Sequence, residues 1–104
     1  MDKLRLTAEQ SDRGTILHLE GYLNQSGGEA LKRTVQDVLA APPATLVLDF
    51  AATSLVNSIG ISSLLEVIEA AKKKKTPMQL IRVPAEIDEL FTLLGISSKV
   101  PVTT

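Results

Sequence analysis

The sequence predicts an α/β domain: a mixed sheet of four to five strands with helices packed on it, in the order β-β-α-β-α-β-α-β. Three observations lead there. Apolar residues alternate at period two in some stretches and recur at helical spacing in others, so strands and helices interleave along the chain. The strand–helix–strand units are about 30 residues long, the length of a parallel pair joined by a right-handed crossover. Pro42-Pro43 and Pro77 break the helical stretches before the strands that follow. With 104 residues, 44% of them hydrophobic and 22% charged, the chain has the length and composition of one domain with one core.

Each element has a local reason. Residues 3–9 alternate weakly and are expected to form an edge strand. Asp12-Arg13-Gly14 is a turn signal, and TILHLEG from Thr15 reads as a strand with Leu17 and Leu19 on one face and Ile16 and His18 on the other. Ser26 followed by Glu29 has the spacing of a capping box, and Leu31, Val35, Val38 and Leu39 form the stripe of a first helix that Pro42-Pro43 ends. TLVLDF, residues 45–50, is an almost continuous apolar run, as expected of a strand buried on both faces. A second helix carries Ile61, Leu64, Leu65 and Ile68 and ends in Lys72 to Lys75, with Glu69 spaced to pair with Lys73. Pro77 breaks it, and MQLIRV, residues 78–83, is the next strand. Pro84 suits the first turn of a third helix with the stripe Ile87, Leu90, Phe91 and Leu94. Gly95 is placed as its C′ residue, with Ile96 making the accompanying contact. KVPVT, residues 99–103, is expected to be a short strand, at an edge because Pro101 has no N–H to donate.

Composition removes several classes of function. The formal net charge is −1 and aromatic residues are 3%, with no Trp, so neither a basic field nor a stacking platform exists for direct nucleic-acid binding. Without Cys and with one His, thiolate and histidine-rich metal sites are excluded, and no cofactor is implied. Met1-Asp2-Lys3-Leu4-Arg5 lacks the apolar run of a signal peptide, and no stretch reaches transmembrane length. A cytoplasmic protein without membrane insertion is the expectation. The lysine run at 72–75 has two readings, a solvated helix end that complements the dipole or a docking patch for an acidic partner.

Functional groups in open α/β sheets gather at the carboxyl ends of strands, where helix N-termini point. Two segments qualify, Gly21 to Gly28 and Asp49 to Gly60. They hold Asn24, Ser26, Asp49, Thr53, Ser54, Asn57 and Ser58 on one expected rim. Asn57 and Ser58 precede the second apolar stripe, and both residue types are preferred N-caps. A cap is therefore one reading. The other is a phosphate acceptor: the free N–H groups of a helix's first turn favour a negative group there, and a phosphoryl on Ser58 would bring about −1.5 to −2 charges. Gly60 leaves backbone uncovered near Ser58, which would let another protein approach closely. Asp49 is expected to orient the Ser58 loop by accepting backbone hydrogen bonds.

Asn57-Ser58-Ile59-Gly60-Ile61 resembles the Asp-Ser-Ser/Thr-Gly-Leu/Ile signature of the STAS domain, the family of sulfate transporters and anti-sigma factor antagonists. GYLNQSGGEALKRTV resembles the family's Gly-x-Leu-Asp segment and first helix, LVLDF its third strand closing on Asp49, and EIDELFTLLGI its Leu-Phe-x-x-x-Gly-Leu/Ile helix end. These stretches cover nearly the whole chain in order, and residues 1–104 are read as a single STAS-like domain.

The resemblance implies a regulator in a partner-switching circuit, a binding partner and kinase substrate rather than an enzyme. Ser58 falls on the family's phosphorylated serine. The implied partners are a kinase-type anti-sigma factor, which is an ATP-binding serine kinase, and a metal-dependent serine phosphatase. Asn24, Ser26, Asp49, Thr53, Ser54, Asn57, Ile59 and Gly60 would form the surrounding partner-binding loop. Three positions depart from the family: Asn24 and Asn57 replace Asp, which removes charge but keeps an acceptor oxygen, and Ile59 replaces a small hydroxyl residue. Those departures keep open an unphosphorylated STAS scaffold in a signalling or membrane-associated assembly. A third class, a small-ligand carrier or enzyme on the same rim, lacks a catalytic base pair or phosphate loop.

Overall fold

Strand β2, Gly14–Leu23, organises the sheet because it is twice as long as most of its neighbours need. In the computed structural model, which describes residues 3–104, one edge of β2 pairs antiparallel with β1, Arg5–Ser11, across a tight turn at Asp12-Arg13. The other edge is divided. Thr15 to His18 pair in parallel with β3, Leu46–Asp49, while Gly21 to Leu23 pair in parallel with β4, Thr53–Val56. Strand β5, Met78–Ile81, lies parallel to β3 on its outer side and completes five strands. Helices α1, Gln25–Ala40, α2, Ser58–Lys73, and α3, Ala85–Leu93, follow β2, β4 and β5, and a 3-10 turn covers Ile96–Ser98.

The alternation of each strand decides its faces. Leu17 and Leu19, Leu46 and Leu48, and Met78 and Leu80 are buried with Leu31, Val35, Leu64 and Ile68 from α1 and α2. Ile87 and Phe91 of α3 enter the same core, where Phe91 meets Phe50 edge to face at 5.5 Å between centroids. The opposite face stays largely open: Glu9, Glu20 and Gln79 are exposed and Ile16, Val47 and Ile81 half-buried. β3 is therefore not covered on both sides as its apolar run predicted. The helices all draw on one core, and Val47 is sheltered only by its neighbours in the sheet.

Five further expectations change. The segment from Asp49 to Gly60 is not all loop. After a turn closed by the Thr53 N–H on the Phe50 carbonyl at 3.0 Å, it forms β4. Four residues beginning Thr-Ser carry too little periodicity to announce a strand, and the free half of β2 supplies the pairing. The expected strand at 99–103 contracts to one bridge between Val102 and Leu80, held by the Leu80 N–H on the Pro101 carbonyl and the Thr103 N–H on the Leu80 carbonyl, both 2.9 Å. Pro84 is the residue before α3 rather than its first turn, and Leu94 lies beyond the helix and is 48% exposed instead of completing the stripe. Gly95 does take the left-handed conformation, φ 74°, and Ile96 is fully buried behind it. Among the described residues Glu69 does not pair with Lys73; the exposed pair on these helices is Lys32 with Glu66, 3.3 Å apart.

Candidate functional site

α1 and α2 begin side by side, and each begins with an asparagine. Asn24 is the N-cap of α1, its Oδ1 accepting from the Gly27 N–H at 2.9 Å and from the Ser26 hydroxyl at 3.2 Å. The Ser26–Glu29 capping box is thus not formed; the helix starts one residue before Ser26, and Ser26 supports the cap instead. Asn57 caps α2 in the same way, its Oδ1 accepting from the Gly60 N–H at 2.8 Å. Asn and Asp are equivalent as N-caps. Asparagine at both places keeps the helix starts and removes two charges from the rim.

Asn57 being the cap leaves Ser58 as the first residue of α2, exposed to solvent. Its hydroxyl makes no hydrogen bond among the described residues; only its carbonyl is engaged, by the Ser62 hydroxyl at 3.3 Å. The other expected rim hydroxyls are committed. Thr53, buried, donates to the Leu19 carbonyl at 2.7 Å, and Ser54 donates to the Gly21 carbonyl at 3.0 Å, so both fasten β4 to β2. In the first turn of α2 the Gly60 and Ile61 N–H groups are taken by Asn57, and those of Ser58 and Ile59 lack intrahelical partners. No acidic residue lies in that turn.

A shallow groove of about 490 Å³ runs between the two helix starts, lined by Asn24, Gln25, Ser26, Glu29, Asn57 and Ile59. Ile59, 50% exposed, and Leu55, 58% exposed, place apolar surface on both sides of Ser58 in the chain. The structure thus brings Asn24, Ser26, Asn57, Ser58 and Ile59 to one place. Thr53 and Ser54 stand behind it as strand fasteners.

Gly60 does not open the backbone to another protein. It is buried, and a Cβ there would collide with the Leu23 carbonyl, which accepts the Asn57 N–H at 3.1 Å. The close approach is internal, between α2 and the end of β2. Gly60→Ala is expected to destabilise the fold by about 1–3 kcal/mol, since forced contact outweighs the higher helix propensity of alanine. Chemical denaturation measures the loss, and faster exchange of the Asn57 amide would locate it.

Asp49 belongs to a different cluster. It is 2% exposed and faces the open side of the sheet. Its one backbone bond is from the Ala51 N–H at 3.0 Å, so it shapes the turn into β4 rather than the Ser58 loop. Its carboxylate also takes His18 Nδ1 at 2.7 Å and a bidentate Arg82 guanidinium, through Nε at 3.1 Å and through the second nitrogen. His18 Nε2 in turn meets Glu9 at 2.9 Å. Burial pushes the Asp49 carboxyl up, but the bonds from Arg82, Ala51 and His18 outweigh it and hold it below the ordinary carboxylate value. Glu9, then Asp49, raises the His18 pKa above 6.5. A carboxylate on each ring nitrogen favours the protonated form of His18 and leaves neither nitrogen free to act as a base, and among the described residues no serine hydrogen-bonds to it.

The residues of this network are far apart in the chain, His18 and Asp49 by 31 positions, and no local motif joins them. A signal was available: His18 and Asp49 are register partners on adjacent parallel strands and share a face. Among the described residues no group of His, Asp and Glu is arranged to hold a metal, and no helix is long and apolar enough to cross a membrane.

A central β2 flanked by β1, β3 and β4, with paired asparagine-capped helices at one rim, defines the class, a small α/β domain built on a mixed five-stranded sheet. The family model described as Mlab, STAS domain matches residues 6–101, and the chain belongs to the STAS domain family. No curated protein matches the chain. Among solved structures it is similar to an anti-sigma factor antagonist from Mycobacterium paratuberculosis (TM-score 0.85, 20% identity, 97% of this chain and 86% of that one covered). It is also similar to the Bacillus cell fate determinant SpoIIAA in its phosphorylated form (TM-score 0.74, 15% identity, 96% and 92% covered). A sulfate transporter family protein from Wolinella succinogenes shares the fold at TM-score 0.69 and 17% identity, with 85% and 74% covered.

Proposed function

We propose that this protein is a STAS regulator of the anti-sigma factor antagonist type, which binds a kinase-type anti-sigma factor and is switched by reversible phosphorylation at Ser58. The observation that carries this reading is that Ser58 is exposed with an uncommitted hydroxyl at the N-terminus of a 16-residue helix, while Asn57 does the capping. Two N–H groups remain to receive a phosphate, the dipole favours it by about 0.3–1 kcal/mol, and no carboxylate in that turn opposes it. Ile59 and Leu55 supply apolar surface for a partner, and a phosphoryl between them would have to be desolvated on binding. That desolvation and the added charge release the partner. In this reading the domain is substrate and ligand, not catalyst, and a metal-dependent phosphatase resets it.

The test is incubation with ATP and the cognate anti-sigma kinase, read by intact mass. One phosphoryl is expected on wild type and none on Ser58→Ala, and Ser58→Asp should bind the kinase at least about tenfold more weakly than Ser58→Ala. An unmodified wild type beside a kinase active on another antagonist would refute the switch. The neutral asparagines at 24 and 57 favour a second reading, a scaffold that is never phosphorylated. It expects Ser58→Ala and Ser58→Asp to bind the partner alike.

A further inference from the structure

The end of α2 remote from Ser58 carries a feature that the switch does not use. A groove of about 320 Å³ opens between α2, β5 and the C-terminal segment. Its floor is apolar: Ile68, Ala71, Met78 and Val100 line it, each 8% exposed or less. Lys72 and Lys99 stand on its wall, and Lys73, Lys74 and Lys75 continue from Lys72. Two of the chain's eleven basic residues thus line this groove in a protein with net charge −1, and three more follow Lys72 in the chain, of which Lys73 lies on another face of α2 beside Glu66 and Glu69. All five are exposed, and among the described residues none is paired with a carboxylate.

We infer that this corner is a second docking site, which takes an acidic peptide segment of a protein partner bearing one apolar anchor side chain. Charge complementarity sets the sign: uncompensated like charges repel one another until an anionic chain is laid among them. The shape sets the rest. The apolar atoms are recessed at the bottom of a concavity, where an inserted side chain is desolvated. A bilayer needs apolar groups that protrude, so it would leave this floor empty. Lys75 adds a local cost in support. It holds φ 55°, the left-handed region where glycine is unstrained, while its N–H bonds the Lys72 carbonyl at 2.9 Å and the Thr76 N–H bonds that of Ala71 at 2.9 Å. That helix end turns the chain into the Thr76-Pro77-Met78 wall of the groove, and a lysine stands where glycine would relieve the strain.

The helix places this groove about 15–21 Å from Ser58 along its axis, since Ile68 and Lys72 follow Ser58 by 10 and 14 residues at a rise of about 1.5 Å. The inference is therefore independent of phosphorylation at Ser58, and both ends can be occupied together.

The experiment is an array of acidic hexapeptides, Asp-Glu-X-X-Glu-Asp with X varied, read by fluorescence polarisation and then by amide shift mapping on the whole protein. Peptides with Leu, Met or Phe at X are expected to bind at least about tenfold tighter than those with Ser, to shift Ile68, Ala71, Met78 and Val100, and to weaken with added salt. Lys72→Glu with Lys99→Glu should abolish this binding with the fold retained, at a small cost in melting temperature because Lys72 lies in the last turn of α2; Lys72→Ala with Lys99→Ala should reduce it in the same sense. Absence of binding by every peptide, affinity indifferent to X, or shifts outside the groove would each overturn the inference. So would tighter, lysine-dependent sedimentation with phosphatidylglycerol vesicles, which would assign the corner to a membrane.

Discussion

Phe91→Ala is expected to lower the unfolding free energy by about 3–5 kcal/mol, the largest effect of any single truncation argued for this protein. Phe91 is fully buried and packs edge to face on Phe50, so alanine forfeits both the transfer term and the ring pair and leaves a cavity between α3 and the sheet. At about 4–8 °C per kcal/mol for a domain of this size, the melting temperature should fall by at least about 12 °C. Phe50 follows Asp49 directly, and its carbonyl closes the turn into β4. Loss of its partner should therefore also loosen the β3–β4 connection behind the Ser58 rim. Calorimetry measures the first effect and amide exchange at Thr53 the second. A fall under about 1 kcal/mol would mean that the core closes over the gap, contrary to the packing described.

Asp49→Ala is expected to cost about 2–3 kcal/mol and to change the shape of the pH–stability curve. The substitution removes the acceptor for Ala51, His18 and Arg82 at once. The two cations left behind are 34% and 62% exposed and return to water, which keeps the loss below that of a fully buried ion pair. The pH dependence has two limbs. Asp49 has a folded pKa below its ordinary 3.8, so its contribution is present above that value and is lost as pH falls through the depressed folded pKa. His18 has a folded pKa above 6.5, so its contribution is full below 6.5 and is lost as pH rises through the raised value. Wild-type stability from this network is greatest between these two ordinary values. In Asp49→Ala the acid limb should vanish, while part of the alkaline limb persists because Glu9, the larger cause of the His18 shift, is still present. Denaturant titrations across pH on wild type, Asp49→Ala and Glu9→Gln resolve the limbs. An unchanged acid limb in Asp49→Ala would sink the assignment.

The rim was partly legible in the chain. Asn57-Ser58 announced a helix start because capping is local: an oxygen acceptor followed by an apolar stripe. What the pair could not announce was the division of labour, since both residue types cap equally well. The structure assigns the cap to Asn57 because the Leu23 carbonyl receives its N–H and fixes the backbone there. That contact joins residues far apart in the chain. Ser26 misled for a related reason: the Ser-x-x-Glu spacing is correct, but β2 runs on to Leu23 and the helix takes the first side-chain acceptor after it, Asn24.

The apolar periodicities alone determined three helices, four of the five strands, the parallel crossovers and therefore the α/β class, because a stripe of one period can be buried in only one way. Tertiary structure decided the rest. It drew β4 out of an apparent loop by offering it the unpaired half of β2, and it put all the helices on one core so that the other sheet face stayed open. It made a four-residue charge network of Glu9, His18, Asp49 and Arg82 from side chains that look isolated in sequence. It also set the groove of Lys72 and Lys99 at the far end of α2. Each of these depends on which edges, faces and charges are left unsatisfied once the local elements have formed, and that is a property of their arrangement rather than of any one stretch of chain.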